Sequence, residues 1–211
     1  DVDIVQNVWV HLGLFPLKAA GLIAGVPLVA RIAGVPVSIA EANDPLKWTR
    51  NRLGLAIERT SLALADHIQV ISKHLSNVFS RRGVSSERVS IISTGCDTDQ
   101  FRPMEKEKAS GDLVRILYVG RINPQKGIED LLRGYALYRN GLQETDKRTE
   151  LVVAGGGEES NINQMKTLAA THEISDAVDF LGHVEHERLP QIYNNADIFA
   201  LPSHAEGLGN A

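Results

Sequence analysis

Between Arg115 and Leu201, short apolar runs alternate with helical stretches four times over. The runs Arg115–Val119, Leu151–Ala154, Val178–Leu181 and Ile198–Leu201 carry little polar alternation, as expected of strands buried on both faces. Between the first two, Ile128, Leu131, Leu132, Tyr135 and Tyr138 fall at helical spacing, which predicts one face packed on a sheet. Ile162, Met165, Leu168 and Ala169 predict the next helix, and Leu189, Ile192 and Tyr193 a shorter one. The methionine and tyrosines are read as packing groups, not as a cofactor box. Successive βα passes of this kind fold as a parallel sheet with helices on both faces.

The first hundred residues repeat the theme less regularly. Pro27–Ile32 reads as a strand, and residues 51–65 read as broadly helical, running into a strand over His67–Ile71. Ser72 is placed to cap a helix that would end at Gly83, with the pair Arg81-Arg82 in its last turn. Arg88–Ile92 is a further strand, leading to a loop that closes at Phe101-Arg102-Pro103. The charged stretch 104–112, interrupted by Gly111, reads as a linker or boundary. The expected organisation is therefore residues 1–103 as part of one Rossmann-like domain and 113–211 as most of a second.

Composition limits the partners. Lysine and arginine number 22 against 26 acids, a net charge of -4, which favours neither nucleic acid nor an anionic membrane. The single cysteine, Cys96, excludes an internal disulfide framework and fits a reducing compartment. It has no evident catalytic partner and reads as inert. No apolar run is long enough to span a bilayer. His183 and His186 have no third ligand at a zinc spacing, so no metal site is expected.

Ligands of open parallel sheets bind beyond the carboxyl ends of the strands, and four segments fall there. Gly120–Gly127 sets two cations, Arg121 and Lys126, just before a helix; this suits a phosphate or diphosphate, though two solvated charges in a turn have the same spacing. Gly155-Gly156-Gly157 admits a close backbone approach but matches neither a Walker loop nor the usual dinucleotide pattern. Gly182-His183-Val184 can offer main-chain groups to a planar base, or be an ordinary loop. In the last segment, Pro202–Gly209, Glu206 can accept hydrogen bonds from a polyol, and Gly207-Leu208-Gly209 can present backbone N–H groups to an anion.

These pieces in this order resemble the retaining glycosyltransferases of family 4, which have the GT-B fold of two Rossmann-like domains with parallel sheets. The resemblance rests on Ala33-Gly34, the stretch Ile92–Pro103, the Gly120–Gly127 segment, Val153–Gly157, Phe180-Leu181-Gly182 and Pro202–Gly209. In the second of these, Thr94 and Cys96 stand where members usually carry asparagine and valine. The resemblance implies an α/β chain with both domains incomplete, residues 1–103 on the acceptor side and 113–211 binding the nucleotide sugar. The family's second glutamate would fall eight residues after Glu206, beyond Ala211, so the 211 residues alone are expected to be inactive.

Carried over by position, the resemblance makes Arg121 and Lys126 the pair that holds the donor diphosphate and sets Glu206 against the transferred sugar. Gly120 and Gly127 flank the basic pair, and Gly182, His183 and Val184 lie beside the base. Gly207, Leu208 and Gly209 bring backbone amides to sugar and phosphate. It implies a hexosyltransferase with no tightly bound cofactor and a nucleotide-diphosphate sugar as donor. The acceptor would be a carbohydrate, a lipid-linked molecule or a small molecule. Nucleic acid is not an expected partner. The expected location is the cytoplasm, with peripheral contact at the membrane face open. Ala33 departs from the histidine that many members carry there, and supports an alternative: a binding or scaffold protein that keeps the cleft without turnover. Arg121, Lys126 and Glu206 together favour the enzyme. A phosphorylase or epimerase on the same fold is a third reading, but the cofactor lysine of a phosphorylase has no counterpart here.

Overall fold

The computed structural model describes residues 5–7, 18–19, 22–33, 60, 62–104, 113–141, 147–204, 206 and 208–209. The chain divides into two compact units, residues 1–95 with 205–210, and residues 96–204 with Ala211. The expected helix over 51–65 lies mostly outside the described residues, as do Gly34, Gly207 and residues 105–112.

In the first unit four parallel strands stand in sequence order: β1 (Val5–Asn7), β2 (Leu28–Ile32), β3 (His67–Val70) and β4 (Val89–Ile91). The helix α1 (Lys73–Arg81) starts where the sequence indicates, with Ser72 Oγ accepting from the Leu75 N–H at 3.3 Å. Its Leu75 and Phe79 are fully buried with Ala30, Ile68, Val70 and Ile71. Asp66 ties the strand starts together: its carboxylate accepts from the Leu28 N–H at 2.8 Å and pairs with the Lys18 ammonium. Arg88 donates to the carbonyls of Leu62 and Ala65 just ahead of Asp66.

The Leu28 N–H and then Lys18 hold the Asp66 carboxyl below its ordinary value. A depressed folded-state value means that this stabilisation is complete above the unfolded value of about 4. It is lost as pH falls through the lower, folded one. Asp66→Asn is expected to flatten that part of the acid-unfolding curve. Tryptophan fluorescence is the suitable probe, because Trp9 and Trp48 both lie in the first 95 residues. An unchanged acid limb would refute the assignment.

The second unit is built on β5 (Leu113–Val119), β6 (Arg148–Ala154), β7 (Val178–Gly182) and β8 (Ile198–Phe199), all parallel, in the order β7-β6-β5-β8. Successive side chains of a strand face opposite sides, and the central strands β5 and β6 are covered on both; the edge strands depart from the expected two-sided burial, with Leu181 of β7 and Ile198 and Phe199 of β8 exposed. Tyr118, Leu151 and Val153 lie under α2 (Ile128–Asn140) and α3 (Glu159–Thr171). Leu117, Val119, Val152 and Ala154 lie under α4 (Leu189–Asn195), through Leu189, Ile192 and Tyr193. The chain adds β6 and β7 on one side of β5 and then returns to place β8 on the other. Right-handed crossovers therefore put α2 and α3 on one face and α4 on the opposite one. Ile128, Leu132 and Tyr135 are buried as their spacing predicts, but Tyr138 is half-exposed and Ala136 takes its place in the core.

Candidate functional site

The strand order of the second unit reverses between β5 and β8, and the crevice of an open α/β sheet lies at that point, beyond the strand ends. The turn 120–127 leaves β5 there. It is held by main-chain bonds to the loop after β6: Gly120 N–H to Ala154 at 3.0 Å and Ile122 N–H to Gly156 at 2.8 Å. Gly155 N–H reaches Gly182 at 2.7 Å, so the loops after β5, β6 and β7 form one laced rim. A Cβ on Gly155 would stand 1.8 Å from the Gly120 carbonyl oxygen. The close approach that the glycine run permits is thus made by the neighbouring loop.

Below the rim the fully buried Tyr118 donates its hydroxyl to the Arg121 carbonyl at 2.8 Å. Asn123 then caps a single turn of 3₁₀ helix (Pro124–Lys126), its Oδ1 accepting from the Lys126 N–H at 3.1 Å. Gly127, at φ 66°, redirects the chain into α2. Arg121 is exposed and Lys126 half-buried. Both cations therefore sit on a short, internally bonded turn directly before the first turn of α2, which no side chain caps. That combination of charge and dipole suits a multiply charged anion.

The loop after β8 lies against this turn. A Cβ on Gly127 would be 2.0 Å from the Pro202 carbonyl oxygen. The His204 N–H donates to the Gln125 carbonyl at 2.9 Å, and His204 Nε2 lies 3.1 Å from Asp130 Oδ2 in the first turn of α2. Beside this pair a cleft of about 180 Å³ is lined by Asn123, Asp130, Asn161, Gln164 and His204 among others. Asn123-Pro124 is a cap followed by a first-turn proline, a pattern visible in the sequence. The Asp130–His204 pairing and the Tyr118 brace carry no such signal.

The remaining sequence-derived residues are placed as follows. His183 is exposed and Val184 half-buried under α4, both just past β7. Glu206 and Leu208 are half-buried and Gly209 is exposed; they count with the first unit, whereas Arg121 and Lys126 belong to the second. Ala33 is exposed at the end of β2. His183 approaches Glu185 at 3.8 Å, whereas His186 meets the Phe101 ring edge-on at 5.1 Å. No group of three or more His, Cys, Asp or Glu is placed to hold a metal ion among the described residues. Cys96 is exposed. No helix of the described residues is long and apolar enough to cross a membrane.

The chain as a whole is similar to known proteins. The sequence model of Glycosyl transferases group 1 matches residues 99–211, more than half of the chain, and that of Glycosyltransferase Family 4 matches residues 1–100. D-inositol 3-phosphate glycosyltransferase 2 of Catenulispora acidiphila is 36% identical over 138 residues, 60% of this chain and 32% of its own length. Among solved structures, sucrose-phosphate synthase of Thermosynechococcus elongatus superposes with a TM-score of 0.76 at 21% identity, over 99% of this chain and 52% of that one. Anabaena HepE, solved with UDP and glucose, gives 0.73 at 18% identity over 98% and 55%. The chain has the α/β fold of the GT-B type, with two Rossmann-like parallel-sheet units. It spans about a third to a half of the length of the curated relatives it matches.

Proposed function

The chain belongs to the glycosyl transferases of group 1, and from that premise we propose that the protein is a retaining glycosyltransferase, moving a hexosyl group from a nucleotide-diphosphate sugar to an acceptor hydroxyl. One observation carries the reading: Arg121 and Lys126 share a braced turn at the point where the strand order reverses, immediately before α2. Breaking the glycosyl–phosphate bond builds negative charge on the leaving diphosphate while the sugar becomes oxocarbenium-like. Fixed cations and helix-start N–H groups stabilise that charge more in the transition state than before it. Glu206 orients sugar hydroxyls in this reading, and the turn Gly182–Val184 faces the base. Retention follows from front-face attack, with the leaving phosphate taking the acceptor proton. Residues 1–103 are assigned to the acceptor side and residues 113–211, which include Glu206, to the nucleotide sugar. The single cysteine suits a cytoplasmic protein, working in solution or against the inner face of a membrane.

In a nucleotide-release assay of the whole protein with UDP-, GDP- and ADP-sugars, one donor is expected to give acceptor-dependent release, with the anomeric configuration kept in the product. Inversion would overturn the retaining assignment. Saturable donor binding without turnover would instead favour a sugar-nucleotide-binding scaffold, the reading that Ala33 supports.

A further inference from the structure

We propose that His204 is a positioning residue of the donor site, which holds the Asp130 carboxylate away from the bound diphosphate. The inference rests on the donor reading above. A helix start that receives a diphosphate is an unfavourable place for acidic side chains, because they compete for the same N–H groups and repel the same ligand. The first turn of α2 nevertheless carries two, Glu129 and Asp130. Each is occupied by a partner. Glu129 is held by Arg133 one turn further on, with N–H to Oε1 distances of 3.1 and 2.8 Å. Asp130 has no counterpart on its own helix; its partner is His204, from the loop after β8, at 3.1 Å.

His204 is itself fixed at its backbone, where its N–H meets the Gln125 carbonyl one residue before Lys126. Two residues earlier in the chain, the Pro202 carbonyl fills the space where Gly127 lacks a side chain. The imidazole is therefore presented to Asp130 by a backbone already locked to the diphosphate turn. Removing the imidazole frees a carboxylate within one helical turn of the proposed phosphate seat. Removing the carboxylate makes the imidazole dispensable. This asymmetry separates a charge-holding role from simple loop packing.

The test measures donor KM and kcat of the whole protein, together with calorimetric affinity for UDP, GDP and ADP. His204→Ala is expected to raise the donor KM and weaken the bound nucleoside diphosphate by about fivefold, the upper end for an exposed pair, with a smaller change in kcat. Asp130→Asn alone should leave both close to wild type, and His204→Ala/Asp130→Asn should recover most of the loss. His204→Gln, which can still donate to Asp130, should retain wild-type affinity. A double variant as weak as His204→Ala, or a His204→Ala variant with unchanged affinity, overturns the proposal. If wild type turns over donor while the variants do not follow this pattern, only this inference falls. If wild type neither binds nor turns over any nucleotide sugar, the donor reading falls and takes the inference with it.

Discussion

Lys126→Ala in the whole protein is expected to lower kcat for glycosyl transfer by about 100- to 1000-fold, the usual cost of losing one preorganised group at a centre of developing charge. The turn that carries Lys126 is shaped by the main chain, through the Asn123 cap on the Lys126 N–H and the Gly127 redirection. The alanine variant should therefore keep its fold, and circular dichroism should be unchanged while turnover collapses. Arg121→Ala is expected to act in the same direction. Arg121→Lys should recover little if the guanidinium binds two phosphate oxygens at once. Steady-state kinetics against donor, with folding monitored in parallel, decides the matter. Wild-type kinetics in both alanine variants would remove these residues from the site.

The second large effect is one of stability. Gly127→Ala places a Cβ 2.0 Å from the Pro202 carbonyl oxygen, at a residue whose φ is 66°. The left-handed backbone costs a non-glycine residue roughly 1–2 kcal/mol, and overpacking adds about 1–3 kcal/mol. The obstructing atom is main chain and cannot swing aside. A loss of about 3 kcal/mol or more is expected, which for a unit near 100 residues lowers Tm by about 10 °C or more. Gly134, seven residues along in α2, provides the contrast. A Cβ there meets nothing within 4 Å, so Gly134→Ala should stabilise the helix by about 0.5–1 kcal/mol. Equal melting temperatures for the two variants would refute the packing described around Gly127.

Most strands were legible because those of a parallel sheet carry apolar runs, and this signal is local; β1 was not, since Val5 is the only aliphatic residue of its three. Ser72 was legible as a cap for the same reason: its partner lies three residues away. Tyr138 shows where periodicity becomes ambiguous. At about 100° per residue it comes round some 80° from Ile128, on the side away from Ala136. Only the sheet's placement decides which edge of the stripe is covered. The return of β8 to the flank of β5 is a pairing of residues some 80 apart, and no short window records it. Of the residues proposed for the donor site, Arg121 and Lys126 stand out in the sequence as charge beside glycine at a strand end, a spacing that two solvated cations share. Tyr118 could not, because its hydroxyl reaches a main-chain carbonyl, which has the same chemistry at every position. Asp130 and His204 are individually ordinary surface residues, and only the packing of the loop after β8 against the turn that leads into α2 makes them a pair.

The segment just before β5 has a consequence for handling the protein. Phe101 lies edge-on to His186 and Tyr193 at 5.1 and 6.2 Å. The Asn194 amide receives the Met104 N–H at 2.7 Å and donates to the Arg102 carbonyl at 3.1 Å. Asp97 starts this stretch by accepting the N–H groups of Asp99 and Gln100. An expression fragment of the second unit cut at the charged stretch 104–112 would discard the cover of α4 and leave an aromatic face and a side-chain amide bare to solvent. Asp97 is the better first residue for producing that unit alone, because the strap then travels with the helix it shields.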